Sequence, residues 1–212
     1  MCNYFINNDL LSISYYAKEN NWKDISKTNY QRILYFSAVL SPIFIPDYKW
    51  KYDFSNTLFG PYNSDITEAL KKLAIEELIC ISKRNISSNK VYENYKITNK
   101  GERLYLDKLA QINSEVNKYK WFKIIVKVLS IYGTPFLVKL VKSDPNIVFQ
   151  YDMNIKEKLY IDSSENNLSK EFFIFLKENY KSKHNISMID EDYLLLFFDV
   201  LYRKYTGGIA NE

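Results

Sequence analysis

The sequence predicts a mainly α fold with a small β component. Two observations carry this. Apolar residues recur three and four apart through most of the chain, the spacing of a helix with one buried face. Alternation with a period of two is confined to short runs, chiefly residues 50–54 and 78–97. With 212 residues, 47% of them hydrophobic and 17% aromatic, the chain is long enough to bury a sizeable core.

The chain opens with a helix expected over Leu10–Asn20, capped by Asp9, with Leu10, Leu11, Ile13, Ser14 and Ala17 inward. Asn20-Asn21-Trp22-Lys23-Asp24 breaks it. Ser26 or Thr28 caps a second helix over Asn29–Val39, whose Tyr30, Ile33, Leu34 and Ser37 share one face. Ser41-Pro42 ends that helix. Ile43–Ile45 is a short apolar run and Pro46-Asp47 a turn. Trp50-Lys51-Tyr52-Asp53-Phe54 alternates aromatic and polar residues as a strand with one buried face does.

The most informative stretch follows. Gly60-Pro61 breaks the chain, because glycine admits unusual dihedrals and proline lacks an amide for a ladder. Asn63 and Ser64 are helix-capping residues, and Asp65 sets a negative charge on the first turn. A helix is expected over Asp65–Glu76, with Ile66, Ala69, Leu70, Leu73 and Ala74 as its buried stripe. Leu78–Ser82 and Val91–Ile97 then read as two strands joined by the polar turn Arg84–Asn89. Thr98 caps a further helix that is expected to run far, through Leu104, Leu109 and Val116, either unbroken or with a break at Asn113-Ser114. Helix, hairpin, helix is the order of a winged helix-turn-helix, the hairpin being the wing. The expected division is a winged-helix domain over 1–112 and a helical domain over 113–212.

In the second part, a helix over Tyr119–Ile131 sets Trp121, Phe122, Ile125, Val128 and Leu129 on one side. Lys118, Lys120, Lys123 and Lys127 lie on the other. Tyr132-Gly133-Thr134-Pro135 closes it and starts a short helix to Lys142. Ser143–Asn146 is a turn, Ile147–Tyr151 a strand and Ser163–Asn167 a polar loop. Helices follow over Leu168–Lys181 and Asp190–Tyr205. The last is apolar nearly all round. Its Leu194, Leu195, Phe197, Phe198 and Leu201 belong either to a bundle core or to a surface that another chain buries, which makes them candidate partner-binding residues. Gly207-Gly208 ends it.

The order aromatic-Gly60-Pro61-Tyr62-x-Ser64, a capped amphipathic helix, a short hairpin and Ile97-Thr98-x-Lys100-Gly101 resembles the winged-helix domain of bacterial phage-associated proteins. Among these it is similar to the small middle components of ABC three-component (Lamassu-like) defence systems. The resemblance covers about residues 1–110; beyond that only a general helical character matches. It implies a non-catalytic accessory subunit that bridges or restrains an SMC-like ATPase and an effector nuclease, with no cofactor of its own.

Composition and motifs exclude several chemistries. His184 is the single histidine, which excludes a multi-histidine metal site. No glycine-rich phosphate loop occurs. Asp47-Tyr48-Lys49 is the lone Asp/Glu-x-Lys triplet of the restriction-nuclease kind, and no second acid can be placed beside it. Asp190-Glu191-Asp192 fans out round a helix start and favours that helix end. Cys2 and Cys80, unpatterned, fit a reducing cytoplasm, the expected compartment; no secretory signal and no run near the roughly 18 apolar residues of a membrane span is visible.

DNA binding is the alternative class, as in a transcriptional regulator or an antitoxin-like protein. The net charge is +4, concentrated in residues 111–145, which hold six Lys against two Asp/Glu. Candidate nucleic-acid contacts are Lys71 and Lys72 on the helix after the turn, Lys83, Arg84 and Lys90 on the wing, and Lys120, Lys123 and Lys127 on the later helix. The helix after the turn also carries Asp65, Glu68, Glu76 and Glu77, a net of −2 that opposes phosphate attraction. That balance favours a protein partner over base reading.

Overall fold

A computed structural model describes residues 4–87, 90–153, 158–184 and 188–207. In chain order they form α1 (Tyr4–Glu19), β1 (Ile25–Ser26), α2 (Lys27–Val39), α3 (Ser41–Phe44), β2 (Phe54–Thr57), β3 (Gly60–Tyr62), α4 (Ser64–Ile75), β4 (Ile79–Ser87) and β5 (Lys90–Ile97). Then come α5 (Asn99–Asp107), two 3-10 turns (Leu109–Gln111 and Asn113–Glu115), α6 (Val116–Lys142), α7 (Pro145–Asp152), β6 (Lys158–Leu159), α8 (Leu168–His184) and α9 (Asp190–Gly207). The fold is mainly α with small sheets. Cys2, the hairpin turn at Ser88-Asn89 and Gly208 lie outside the described residues.

Several expectations change against these elements. Ile147–Tyr151 is not a strand but most of α7. Asp144 caps that helix by accepting from the Ile147 amide, and Pro145 takes the first turn, where its missing amide costs nothing. The helix from Lys100 does not run far. It stops at Asp107, and two 3-10 turns intervene before α6. The strand expected from Trp50 begins only at Phe54. Gly60-Pro61 does not end the ladder: it lies in β3, where Pro61 sits opposite Asn56 at a sheet edge, a place a strand proline is tolerated. Gly60 has φ +99°, and a Cβ there would lie 3.0 Å from the Val141 Cγ1. In α6 the helical run is broken at Gly133 (φ 69°, ψ 179°), so two helices meet there, as the Gly-Thr-Pro sequence predicts.

The chain divides into two compact units, each built from separated segments: residues 1–34 with 63–131, and 35–62 with 132–212. This differs from the expected division after residue 112. The 35–62 segment belongs with the C-terminal residues, and the first half of α6 with the N-terminal ones.

In the first unit, α1 packs against α4, α5 and β5, and α4 packs against β4. The buried stripe of α1, Ile6, Leu10, Ile13 and Ala17, follows the helical period. It meets Ile66, Leu70 and Leu73 of the α4 stripe through that packing. The sheet order is β1-β5-β4, all antiparallel, with β1 contributing only Ile25 and Ser26. Thr98 caps α5 by accepting from the Gly101 amide at 3.1 Å and donates to the Glu77 carbonyl at 2.6 Å. Gly101 is where α5 meets β4: a Cβ there would fall 2.0 Å from the Leu78 carbonyl oxygen.

In the second unit, a sheet of order β3-β2-β6 lies with α7, α8 and α9; α8 packs on both α7 and α9. Phe36 from the end of α2 meets the Phe198 ring edge-on at 5.0 Å, and Phe197 touches Phe173 and Phe172. Edge-to-face pairs of this kind add to the burial of large rings.

Candidate functional site

Three surfaces hold the residues singled out in the sequence, and each is built differently. The first is the outer face of α4. The turn before it is clamped by Gln31, a buried side chain of α2. Its Nε2 donates to the Asn63 carbonyl at 2.7 Å, and its Oε1 accepts from the Asn63 amide at 2.9 Å. The Asn63 side chain then accepts from the Asp65 amide at 2.8 Å, starting the helix. With Ile66, Ala69, Leu70 and Leu73 inward, the solvent face presents Asp65, Glu68, Lys71 and Ile75. Lys72 is half-buried; its Nζ lies 3.7 Å from Glu76 and 5.0 Å from the centre of the Tyr4 ring.

The second surface is the β4–β5 hairpin. Its base is core at Ile79, which opposes Ile97, and at Tyr95, which opposes the exposed Ile81. A bulge at Ser82 shifts the register, so that Lys83 opposes Asn94 and Arg84 opposes Glu93. From Ile81 to Ser87 every residue of β4 is exposed. Strand alternation then sorts the outer half into two faces. One, continuous with Tyr95, carries the Arg84–Glu93 ion pair at 3.4 Å and beyond it the opposed pair Ile86 and Val91, exposed at 73% and 41%. The other carries Lys83, Asn85 and the exposed Tyr92. Lys90 pairs with Ser87 at the start of β5; its side chain lies outside the described residues.

The third is the first half of α6. Lys120, Lys123 and Lys127 are exposed and spaced so that they share a face. Lys118, expected in the same row, is not on it. It is 2% exposed and pairs with Asp9 of α1 at 2.7 Å and with Glu115. A buried ammonium held by two carboxylates is a structural tie, since one partner removed would leave charge without compensation. The eight candidate nucleic-acid residues thus sit on four elements, α4, β4, β5 and α6, and Lys72 and Arg84 have acids of their own beside them.

Comparison with protein-family models finds no match for the chain, and comparison with curated proteins finds none either.

The apolar residues of α9 go to the core. Leu194, Phe197, Phe198 and Leu201 are at most 1% exposed, and Leu195 is half-buried. Of the two readings the all-round apolar pattern left open, the bundle core is the one realised. These side chains are therefore not a surface that another chain can reach. The chain's exposed large apolar groups lie elsewhere, Ile86 and Tyr92 of the hairpin among them.

Residues Asn113–Lys142 form a helical stretch long and apolar enough to cross a membrane by length and composition. It is interrupted at Gly133, and its Trp121, Phe122, Ile125, Val128, Leu137 and Leu140 are buried.

The sequence reading missed a buried polar cluster in the second unit. Asp144 is fully buried. Its Oδ1 accepts from the Tyr35 hydroxyl at 2.7 Å and its Oδ2 from the Ser169 hydroxyl at 2.7 Å. Asn146 donates to the Tyr160 carbonyl at 3.0 Å and accepts from the Leu168 amide at 2.7 Å. Asn167 donates to the Val39 carbonyl at 2.8 Å and accepts from the Lys170 amide, capping α8. Burial pushes the Asp144 carboxyl up to about 6, with the hydroxyl donors and the amides of the helix start pulling the other way. Tyr35 is held well above its ordinary value by burial and by Asp144. Enclosed on all sides, the cluster fixes where α2, α7 and α8 begin or end; it offers no face to a substrate. The signal was present as Asp144-Pro145, a cap followed by a first-turn proline, but the apolar Ile147-Val148-Phe149 run outweighed it.

Proposed function

We propose that the first unit is a winged-helix domain used to grip another polypeptide, and that the chain is a non-catalytic accessory subunit. The order α1, β1, α2, α4, β4, β5, with β1 laid on β5, supports the winged-helix assignment. In it α4 follows the turn and the β4–β5 hairpin is the wing, while residues 35–62 are an insertion between the second and third helices. The observation that carries the protein-binding reading is the wing. It presents the opposed Ile86 and Val91 to solvent, and the outer face of α4 separately presents Asp65, Glu68 and Ile75 with Lys71. A DNA-reading helix needs basic or amide side chains there. The complementary partner is a protein surface with an apolar ridge flanked by basic residues. Taken with the resemblance, the proposal places the chain in an anti-phage or anti-plasmid complex, bridging or restraining an SMC-like ATPase and an effector nuclease.

The test is co-purification with a co-expressed SMC-like ATPase of such a system, comparing the native chain with Ile86→Asp/Val91→Asp. Loss of the partner by the double variant, with its melting temperature kept, supports the reading. Tight, sequence-selective duplex binding that Lys71→Glu/Lys72→Glu abolishes would refute it in favour of a DNA-binding regulator.

A further inference from the structure

The second unit holds a cleft of about 860 Å³ that none of the readings above uses. One wall is the extended segment Tyr48–Asp53, and the other is Lys158–Ser163, beginning at β6. The first wall alternates aromatic and charged residues. Tyr48, Trp50 and Tyr52 follow one another edge-to-face at 5.3 and 5.4 Å. The Trp50 indole is anchored by its Nε1 donating to the Ser41 hydroxyl at 2.5 Å. Tyr160, 42% exposed, faces the cleft from the second wall. Aromatic planes of this kind give a stacking platform for bases of any sequence. The charges lining the same cleft favour an anion: Lys158 and Asp53 pair with each other, leaving Lys49 and Lys51 against Asp162.

We propose that this cleft binds a short stretch of single-stranded nucleic acid, stacking bases on Tyr48, Trp50 and Tyr160 while Lys49 and Lys51 meet the phosphates. The volume lies within the range of about 300–1,000 Å³ usual for small-ligand clefts, which suits a base or two and excludes a duplex. A proline-rich peptide would use the same rings, and Pro42 and Pro46 also line the cleft. It has no use for the lysines, so the charge decides between the two.

The experiment is a titration of the full chain with fluorescein-labelled dT15, read by anisotropy, and with unlabelled dT15, read by tryptophan emission. Trp22 and Trp121 are buried, so quenching reports on Trp50. The expected result is saturable binding with quenching that is absent in Trp50→Phe. Affinity should fall about tenfold or more in Lys49→Glu/Lys51→Glu, and log affinity should fall with log salt at a slope of about −1.4, as for two phosphate contacts. Binding that is unchanged in Lys49→Glu/Lys51→Glu, or competed equally by duplex, would overturn the proposal. So would saturable quenching by an oligoproline peptide and none by dT15.

Discussion

Replacing Asp144 by asparagine should change the protein's stability in a way that depends on pH. In the folded chain this carboxyl titrates near 6, raised from an ordinary 3.8 chiefly by burial. The folded state therefore holds the proton more tightly than the unfolded state does. Its contribution to stability is fully present below about pH 4 and is lost as pH rises through 6. The span of about two pKa units corresponds to about 3 kcal/mol. Asparagine fits the same space but cannot titrate, and its amide faces a hydroxyl that donates to Asp144, from Tyr35 or Ser169. Urea unfolding of the native chain and of Asp144→Asn at pH 4, 5, 6 and 7 isolates this group, since every other carboxylate is common to both. The native chain should gain about 2 kcal/mol on the variant between pH 7 and pH 4. A difference that stays flat across this range would refute the assignment of a proton-binding carboxyl to this buried site.

Three further outcomes follow from the packing. Gly101→Ala should cost about 3 kcal/mol or more by thermal unfolding, because the new methyl would meet the Leu78 carbonyl oxygen 2.0 Å away and backbone has to move. Gly133→Ala, which has space around it but a positive φ of 69°, should cost about 1–3 kcal/mol from backbone strain alone. Lys118→Met should cost about 3–5 kcal/mol by leaving Asp9 buried without its cation, and the double change with Asp9→Leu should recover most of that loss.

Much of the first unit could be read from the residues because its signals are local. Asn63 and Thr98 cap the helices they were expected to cap, and the buried stripe of α4 is the one its spacing describes except at Ala74, which is half-buried. The hairpin between them follows from a change of period. What could not be read depends on residues far apart in the chain. The β1 pairing joins Ile25 to Tyr95 across about 70 residues, with nothing in a two-residue strand to announce it. Lys118 looked like one of a solvated row until Asp9, on the first helix, turned out to be its partner. The all-round apolar character of α9 was correctly read as burial, yet whether another chain or its own unit supplied the cover depended on Phe36 and Phe173. Of the candidate surfaces, the β4–β5 hairpin was visible in outline, but the outward Ile86–Val91 pair depends on the bulge at Ser82, which no sequence pattern marks.

The threading of the chain through its two units has a consequence for synthesis. A ribosome releases residues 35–62 long before residues 132–212, which complete the same unit. For that interval Phe36 waits for Phe198, Tyr35 for the Asp144 carboxylate and Phe54 for its strand partner Leu159. The N-terminal unit can close only once Ile131 has emerged. Shielding of that waiting segment, or a slow early stretch of translation, would then govern how much active protein a cell obtains.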